Sequence, residues 1–193
     1  MLPAPSPVHD PTAVMGKRFG AYIIDALIGG ILVMILLFSF ATRHSYATTS
    51  RAEDVCDTIN NDSDSEYFCA PVDTDVFVWK GTDVLLSALV GLGYWFLNDA
   101  VLTGLTGFSI GKGVVGLRVV RSDGHLCGLA RSMLRWLLWV VDGVPYCFPL
   151  VGLIVAPASN GHRRVGDHAA KTFVVDKRSV GRPIVVPGMH APF

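Results

Sequence analysis

The chain has 193 residues, of which 51% are hydrophobic and only 17% are charged, and its formal net charge is zero. Soluble domains usually carry about 25% charged residues, so this composition favours an integral membrane protein. The length leaves no room for a catalytic domain beside a small membrane domain, and the sequence carries no hydrolytic, redox, haem or nucleotide-binding motif. We therefore expect no enzymatic activity, no cofactor and no nucleic-acid partner.

A first membrane span is predicted over residues 19–40, after a flexible, Pro-rich start at 1–12. A helix of that length reaches about 33 Å and crosses a hydrocarbon core of about 30 Å. Thirteen Phe, Ile, Leu and Val side chains in the span outweigh the cost of about 3 kcal/mol for Asp25 at a helix centre. A cleaved signal peptide is the competing interpretation, although its apolar region would be shorter.

Residues 41–81 form an acidic segment with eight acidic and three basic residues. Because positively charged loops stay in the cytoplasm, we expect this segment outside the cell and the N-terminus in the cytoplasm. Cys56 and Cys69 both fall in the segment. In an oxidising compartment a disulfide between them would contribute about 3 kcal/mol; two unpaired thiols are the alternative.

A second span is predicted over residues 84–102. The polar residues of both spans recur every three or four positions, which places them on one face of each helix. They are Arg18, Tyr22, Asp25 and Gly29 in the first span, and Ser87, Gly91, Tyr94 and Asn98 in the second. We expect the two faces to pack together, with Asp25 bonded to Tyr94, Asn98 or a water molecule.

The role of Asp25 has two interpretations. An intramembrane carboxylate is a functional-site candidate by default, whereas the structural interpretation makes it a polar contact between helices. Arg18 is either part of the same site or an anchor to the phosphates of the cytoplasmic leaflet.

A third hydrophobic region covers residues 129–157 and is interrupted by Asp142, Gly143 and two prolines. Because proline breaks a helix, we predict two short helices, 129–143 and 146–156, that re-enter the membrane or cross it as kinked half-spans. A single third span is the alternative, and it would place the basic tail outside.

The first of these short helices has a polar face. Arg131, Arg135 and Asp142 lie close together on it, which suits a helix at the membrane interface with Trp136 and Trp139 at headgroup depth.

Two β-prone stretches flank this region, "GLRVVRSDG" (116–124) and "TFVVDKR" (172–178), and we expect them to lie near each other in the cytoplasm. Lys112 suits a lipid phosphate better than a nucleotide, because Gly113 breaks the phosphate-loop pattern. The predicted fold class is an all-α membrane protein. It has two transmembrane helices, a Pro-broken third region that is re-entrant or kinked, and short cytoplasmic β segments.

Three stretches in this order resemble the RDD family of bacterial membrane proteins, named for one Arg and two Asp. They are "GKRFGAYIIDALIG", "GFSIGKGVVGLRVVRSDG" and "RRVGDHAAKTFVV". The resemblance covers about residues 13–178 and leaves 179–193 as a flexible tail. It implies that Arg18 and Asp25 are the family's Arg and first Asp. It also implies a cell-membrane location and transport of an unidentified ligand, with cation/proton exchange proposed for some members.

The family's second Asp matches Asp167, with Asp142 as the other candidate. Asp167 is either a helix cap that accepts the N–H groups of 168–170 or part of an ion or proton relay toward Asp25. Lys171 stands where the family often has Gly, so the sequence of the local turn differs from the family's pattern at this position.

Two functions of different class remain open from the sequence. The first is a small transport or ion-exchange unit in which Asp25 binds a proton or cation and Arg18 tunes its charge. The site would be completed by Tyr22, Tyr94 and Asn98. Two spans do not enclose a pathway easily, so this unit would need a homo-oligomer or a host complex. The second is an accessory or assembly subunit of a larger membrane complex, and membrane lipids are expected partners in both cases.

Overall fold

The structure, a computed structural model, describes residues 10–62, 66–139, 159 and 161–186. It contains two compact units. The loop unit is Leu27–Tyr94, and the terminal unit combines Met1–Ala26 with Trp95–Phe193.

Two helical segments are long and apolar enough to cross a membrane: α1 (Met15–Phe40) and the continuous stretch Gly81–Thr106. The second consists of α3 (Gly81–Trp95), a π-helix (Phe96–Leu102) and α4 (Thr103–Thr106). Only 11% and 22% of their most apolar windows are buried. A core helix of a soluble protein would be mostly buried, so the exposed apolar side chains fit contact with lipid.

The loop unit contains a three-stranded antiparallel sheet, and the prediction of an all-α fold was therefore wrong. Strands β1 (Thr42–Ser45), β2 (Tyr67–Val72) and β3 (Asp75–Lys80) lie in the order β1-β3-β2. Their β-branched and aromatic side chains favour extended backbone. Asp73 has a φ of 57° in the turn between β2 and β3, a conformation that Asp tolerates better than most residues.

Helix α2 (Thr49–Asn61) packs on β2. Cys56 of this helix forms a disulfide with Cys69 of β2, which confirms the predicted linkage. Both cysteines are buried together with Ala52 and Val76. The crosslink therefore lies in the small core of the loop unit and joins its helix to its sheet.

Within the loop unit, α1 and α3 approach each other closely at Gly91, where a Cβ atom would lie 2.8 Å from Cγ2 of Val33. Ser87 and Gly91 are both buried, as expected for the polar face of this helix. A small residue at such a crossing allows the backbones of two membrane helices to come together.

The sheet of the loop unit is fastened to the end of α1. The Trp79 indole donates a hydrogen bond of 2.7 Å from Nε1 to the carbonyl of Leu37. The ring of Phe38 meets that of Phe77 edge to face. The exit of the first membrane helix is therefore anchored by the strand that leads into the second.

The terminal unit is built from short elements after the second membrane helix. These are α5 (Ile110–Val114), β4 (Leu117–Arg121), α6 (Leu129–Leu137), α7 (Val165–Ala169), β5 (Thr172–Asp176) and a 3₁₀ turn (Lys177–Ser179). Strands β4 and β5 pair antiparallel, with Leu117 opposite Asp176 and Arg121 opposite Thr172. The two β-prone stretches thus lie next to each other, as predicted, and they also pair.

One core of the terminal unit joins α1 to this two-stranded sheet. It consists of Ala21, Leu117, Val119, Cys127 and Val174. Because Ala21 faces the sheet, the first turns of α1 are held against β4 and β5. This packing directs the polar face of α1 toward the segments that follow the second membrane helix.

The third hydrophobic region differs from the prediction where it is described. Helix α6 ends at Leu137, whereas residues 140–157, with Asp142 and the predicted helix 146–156, lie outside the described residues. Arg135, predicted on a face at the membrane interface, is instead buried inside the terminal unit and is 2% exposed. Its burial follows from an opposite charge in the interior, which the polar pattern of a single helix cannot reveal.

Candidate functional site

Asp25 fastens α1 to the start of α5. Its Oδ1 accepts hydrogen bonds from Asn98 Nδ2 at 2.8 Å and from the backbone N–H of Gly111 at 2.7 Å. Its Oδ2 accepts a bond of 2.6 Å from the Ser109 hydroxyl. The side chain is 4% exposed. Three hydrogen bonds to one buried carboxyl group therefore link α1 to the π-helix and to the start of α5.

The start of α5 is shaped to meet that carboxylate. Ser109 is the N-cap residue, and its Oγ also accepts a bond of 3.4 Å from the N–H of Lys112. A Cβ atom at Gly111 would overlap the carbonyl oxygen of Ala21 and lie 2.9 Å from Cγ of Asp25. Only glycine allows this backbone N–H to reach the carboxylate at such a close approach.

The π-helix directs two consecutive polar residues into the terminal unit. Asn98, which donates to Asp25, also accepts a bond of 2.9 Å from the N–H of Ile110 through its Oδ1. The next residue, Asp99, pairs with Lys112 Nζ at 2.5 Å. π-Helical segments inside α-helices occur frequently at functional sites. Here the π-helix directs the neighbouring side chains of Asn98 and Asp99 into the interior of the terminal unit.

Asp167 lies at the centre of a cluster of arginines. Its carboxylate is 3.0 Å from Arg135 Nη2, and 3.9 Å from both Arg18 Nη1 and Arg164 Nε. The side chain is 1% exposed. Burial alone would raise the pKa of Asp167, but the charges of the three arginines outweigh it and hold that pKa below its usual range. Asp167 is therefore ionised at neutral pH.

Arg18 belongs to this cluster and is only 14% exposed, so its side chain lies in the interior of the unit. Nη2 donates to the carbonyl of Val174 in β5 at 3.0 Å, and Nη1 donates to the carbonyl of His162. The guanidinium thus connects α1 to β5 and to the segment that precedes α7. Its neighbour Lys17 is exposed and pairs with Asp176 at 2.7 Å.

Arg164 joins the two carboxylates of the interior. Its Nη2 lies 3.7 Å from Asp99, and its Nε lies 3.9 Å from Asp167. Asp167 Oδ2 also accepts a bond of 3.3 Å from the backbone N–H of Arg164. Asp167 is the third residue of α7 and accepts this bond from the N-cap residue, Arg164, whereas one interpretation of the sequence made Asp167 itself the cap that accepts the N–H groups of 168–170.

These groups surround a cavity of about 140 Å³, far above the roughly 10–15 Å³ that one water requires. We call it the arginine–aspartate cavity. Its charged lining residues are Arg18, Asp25, Asp99, Lys112, Arg135, Arg164 and Asp167. Its aromatic lining residues are Phe19, Tyr22, Trp95 and Trp139. The rings of Trp95 and Trp139 are stacked, with centroids 6.4 Å apart. The lining of the cavity therefore combines charged and aromatic side chains.

The structure brings together most of the residues that the sequence singled out. Arg18, Tyr22, Asp25, Lys112 and Asp167 all line the cavity. Asn98 supports Asp25 directly, as predicted. Tyr94 is half-buried and belongs to the loop unit. Lys112, predicted to bind a lipid phosphate, is paired with Asp99 and is 15% exposed.

Three charged residues of the cavity lining were not predicted as site residues from the sequence: Asp99, Arg135 and Arg164. Asp99 follows Asn98 directly, so a 3.6-residue period placed it on a different face, and the π turn changes that placement. Arg164 lies three residues before Asp167 in the last of the three family-like stretches. This short spacing is a signal from which an ion pair between Arg164 and an aspartate could have been predicted. Within residues 10–62, 66–139, 159 and 161–186, no group of three or more His, Cys, Asp and Glu side chains could hold a metal ion.

Two apolar helices that could cross a membrane and a buried network of arginines and aspartates together indicate a small, mainly helical membrane protein with an interior polar site. The profile of the RDD family matches residues 12–171. The chain therefore belongs to the RDD family, as the three motifs suggested. Neither a curated protein nor a solved structure matches it significantly.

Proposed function

We propose that this RDD protein is a small membrane transport unit and that the arginine–aspartate cavity is its ligand site. The observation that carries the proposal is the cavity itself. It holds seven charged side chains beside a π turn of a membrane helix, and ionisable residues at such places commonly serve a ligand or ion pathway. The aromatic side chains of the lining offer contacts for an apolar part of the ligand.

A transport site must open to both sides of the membrane in turn, and this can be tested without knowing the ligand. Tyr22→Cys, in a background where Cys127 and Cys147 are Ser, places a thiol in the cavity wall. We expect an impermeant thiol reagent to label it from either side of sealed vesicles. Ile31→Cys is the control, because Ile31 is 58% exposed on the apolar surface of α1 and should stay unlabelled in lipid. Labelling from one side only would contradict transport.

Orientation is part of the proposal. Lys112 and Arg135 are interior residues, but the basic residues Arg118, Arg121 and Arg131 still favour a cytoplasmic location for this segment. The same assay should label Asp123→Cys only from the cytoplasm and Asp62→Cys only from outside. The N-terminus and the tail would then be cytoplasmic and the disulfide-bonded loop unit external, in the plasma membrane.

Asp25 is proposed as a positioning residue, because its oxygens accept hydrogen bonds that hold α5 in place. Asp25→Asn should keep this arrangement: the amide oxygen can replace Oδ1, and its NH₂ can donate to Ser109, whose hydroxyl also accepts bonds. Asp25→Leu leaves the N–H of Gly111 buried without its acceptor, at about 1–3 kcal/mol for that group.

We therefore expect near-normal amounts of folded Asp25→Asn and strongly reduced amounts of Asp25→Leu in membranes. A dye-based assay of Na⁺/H⁺ and K⁺/H⁺ exchange in reconstituted vesicles adds a separate readout. Active wild type with inactive but well-folded Asp25→Asn would assign a cation or proton to Asp25 itself and overturn the positioning role.

An accessory role in a larger membrane complex is the second candidate, and one observation favours it. Strand β2 exposes Tyr67, Phe68 and Val72, each at 47% or more, on a small disulfide-closed unit. Purification in mild detergent separates the candidates. A defined homo-oligomer or monomer favours transport, whereas recovery only with other subunits favours the accessory role.

A further inference from the structure

The sheet of the loop unit is continuous in sequence with both apolar helices. Strand β1 follows the end of α1 at Phe40 after one residue, and β3 runs directly into Gly81, the first residue of α3. The N–H of Gly81 also donates a hydrogen bond of 2.7 Å to the carbonyl of Glu66, just before β2. The start of β1, the start of β2 and the end of β3 therefore all lie beside the helix ends.

One face of this sheet is aromatic. Side chains alternate between the two faces of a strand, and Cys69 points to the face that α2 covers, because it is bonded to Cys56 of that helix. Its neighbour Phe68 therefore points to the opposite face. Trp79 lies opposite Phe68 in the register of β2 and β3, and its ring stacks on that of Phe77, with centroids 6.3 Å apart. The three rings share one face of the sheet.

These rings lie beside the ends of both helices. Phe38, in the last turn of α1, meets Phe77 edge to face. A Cβ atom on Gly81 would lie 3.6 Å from Cε2 of Phe68, so that ring covers the start of α3. We call the four rings the aromatic cluster: Phe38, Phe68, Phe77 and Trp79.

The aromatic cluster continues the apolar surface of the helices. Phe38 and Phe68 are each more than half exposed. Ile35, one turn before Phe38 on the same side of α1, is exposed to a similar degree, and so is Leu85, one turn after Gly81 on α3. The exposed apolar surface therefore passes from each helix onto the cluster, and the medium that covers the ends of the helices also reaches the cluster.

The far end of the sheet is polar instead. Val72, four residues beyond Phe68, lies opposite Asp75. The Asp75 carboxylate pairs with Arg43 and accepts a hydrogen bond of 2.6 Å from the Ser45 hydroxyl. Four residues of a strand extend about 13 Å, whereas the headgroup region adds only about 5–8 Å on each side of the hydrocarbon core. A bilayer that surrounds the helices thus reaches the cluster but not this charged end.

We propose that the aromatic cluster lies in the headgroup region of the bilayer and that its partner is the lipid surface. Tryptophan favours this region, because its ring is apolar and its N–H is polar. The cluster holds the loop unit against the membrane at the point where both helices leave it. The inference goes beyond the transport proposal. It depends only on the two apolar helices crossing the membrane.

Photo-crosslinking of the full-length protein in phosphatidylcholine vesicles tests the inference. A phenylalanine analogue with a photoreactive diazirine replaces Phe68 in one variant and Val72 in the other. Val72 is the matched control, because it is equally exposed on the same face of the same strand. After illumination, mass spectrometry should find several times more lipid adduct at position 68 than at position 72, where the probe reacts with water.

The other outcomes contradict the inference. Equal yields of lipid adduct at positions 68 and 72, or none at position 68, would show that the cluster is not in the headgroup region. The same variants illuminated in native membranes test for a protein partner. A crosslink from position 68 to another protein in place of lipid would make the cluster a subunit interface, and it would favour the accessory role.

If the variants do not fold, the reciprocal experiment uses the unmodified protein. A phosphatidylcholine with a diazirine near its headgroup should form adducts on the aromatic cluster and not on residues 72–75. Adducts at 72–75 as frequent as those on the cluster reject the inference.

The inference and the transport proposal can fail separately. The aromatic cluster lies in the loop unit, and in the described part of the chain none of its rings lines the arginine–aspartate cavity. Two-sided labelling of Tyr22→Cys without lipid adducts at position 68 would keep transport and reject the lipid contact. Labelling of Asp62→Cys and Asp123→Cys from the same side would instead overturn the inference at its premise, the crossing of the membrane.

Discussion

Replacing Asp167 with Asn should remove most of the folded protein from the membrane. Asp167 is the shared partner of Arg18, Arg135 and Arg164, and it is almost completely buried. An uncharged amide leaves these guanidinium groups close together without their common counter-charge. Removal of one partner from a buried ion pair costs about 3–5 kcal/mol, which is a large part of the stability of a small protein. Membrane abundance and thermal unfolding in detergent measure the loss.

Asp176→Asn is the matched control. Asp176 also pairs with a cation, Lys17, but this pair is exposed, with Lys17 half in solvent. Exposed ion pairs contribute about 0–1 kcal/mol, so this variant should accumulate almost normally. Equal losses of folded protein in the two variants would show that the effect of Asp167→Asn does not depend on the burial of its ion pairs.

The pH dependence follows from the same charges. The arginines hold the pKa of Asp167 below its ordinary value, so the carboxylate contributes stability that is fully present above the unfolded-state pKa of about 3.9. This contribution is lost only as the pH falls below that value and through the folded-state pKa. We expect the stability difference between the wild type and Asp167→Asn to stay constant from neutral pH to about pH 5 and to shrink in stronger acid.

The spacing of polar residues in the two spans was sufficient to predict which faces are buried. Asp25 and Gly29 on α1 are buried, and so are Ser87, Gly91 and Asn98 on the second segment. A helix repeats its direction every 3.6 residues, so polar residues three and four apart in an apolar span must share one side. Polar side chains are unfavourable in lipid, so this side of the helix faces the protein interior. The spacing of the polar residues alone therefore predicts which face is buried.

The partners in the interior network could not be predicted in the same way. Arg135 lies on an amphipathic helix, and such a pattern is equally compatible with an aqueous interface and with a buried carboxylate. The choice depends on Asp167, which is 32 residues further along the chain on a different element. Asp99 was hidden by the π turn, because local unwinding changes the period on which the prediction depends.

The sheet of the loop unit was missed for a different reason. The acidic residues of 41–81 indicated a loop, but acidic side chains are compatible with the exposed face of a short strand. The disulfide between Cys56 and Cys69 crosslinks the small core of the loop unit and stabilises it. The disulfide was predicted from the sequence, but the folded unit around it was not. In that unit β1 and β2 both pair with β3.

Replacing Gly111 with Ala should be nearly as damaging as the loss of Asp167, although it changes no charge. The new methyl group would overlap the carbonyl oxygen of Ala21 and press on Cγ of Asp25 at 2.9 Å. The first obstacle is helix backbone, which cannot rotate away as a flexible side chain can. Relief requires α5 to move from α1, and this movement breaks the bond from the Gly111 N–H to Asp25 and strains those from Asn98 and Ser109.

The expected cost of Gly111→Ala is about 1–3 kcal/mol for overpacking and about 1.5–3 kcal/mol for the lost charged hydrogen bond. Gly93→Ala is the control, since Gly93 lies in helix α3 and, in the described part of the chain, nothing beyond its chain neighbours and the helix's own nearby backbone comes within 4 Å of the added Cβ. That variant should be neutral or slightly stabilising, because Ala favours a helix by about 1 kcal/mol over Gly. Thermal unfolding in detergent compares the two. A Gly111→Ala protein as stable as the wild type would show that α5 does not need to lie against α1, and the positioning role of Asp25 would fall with it.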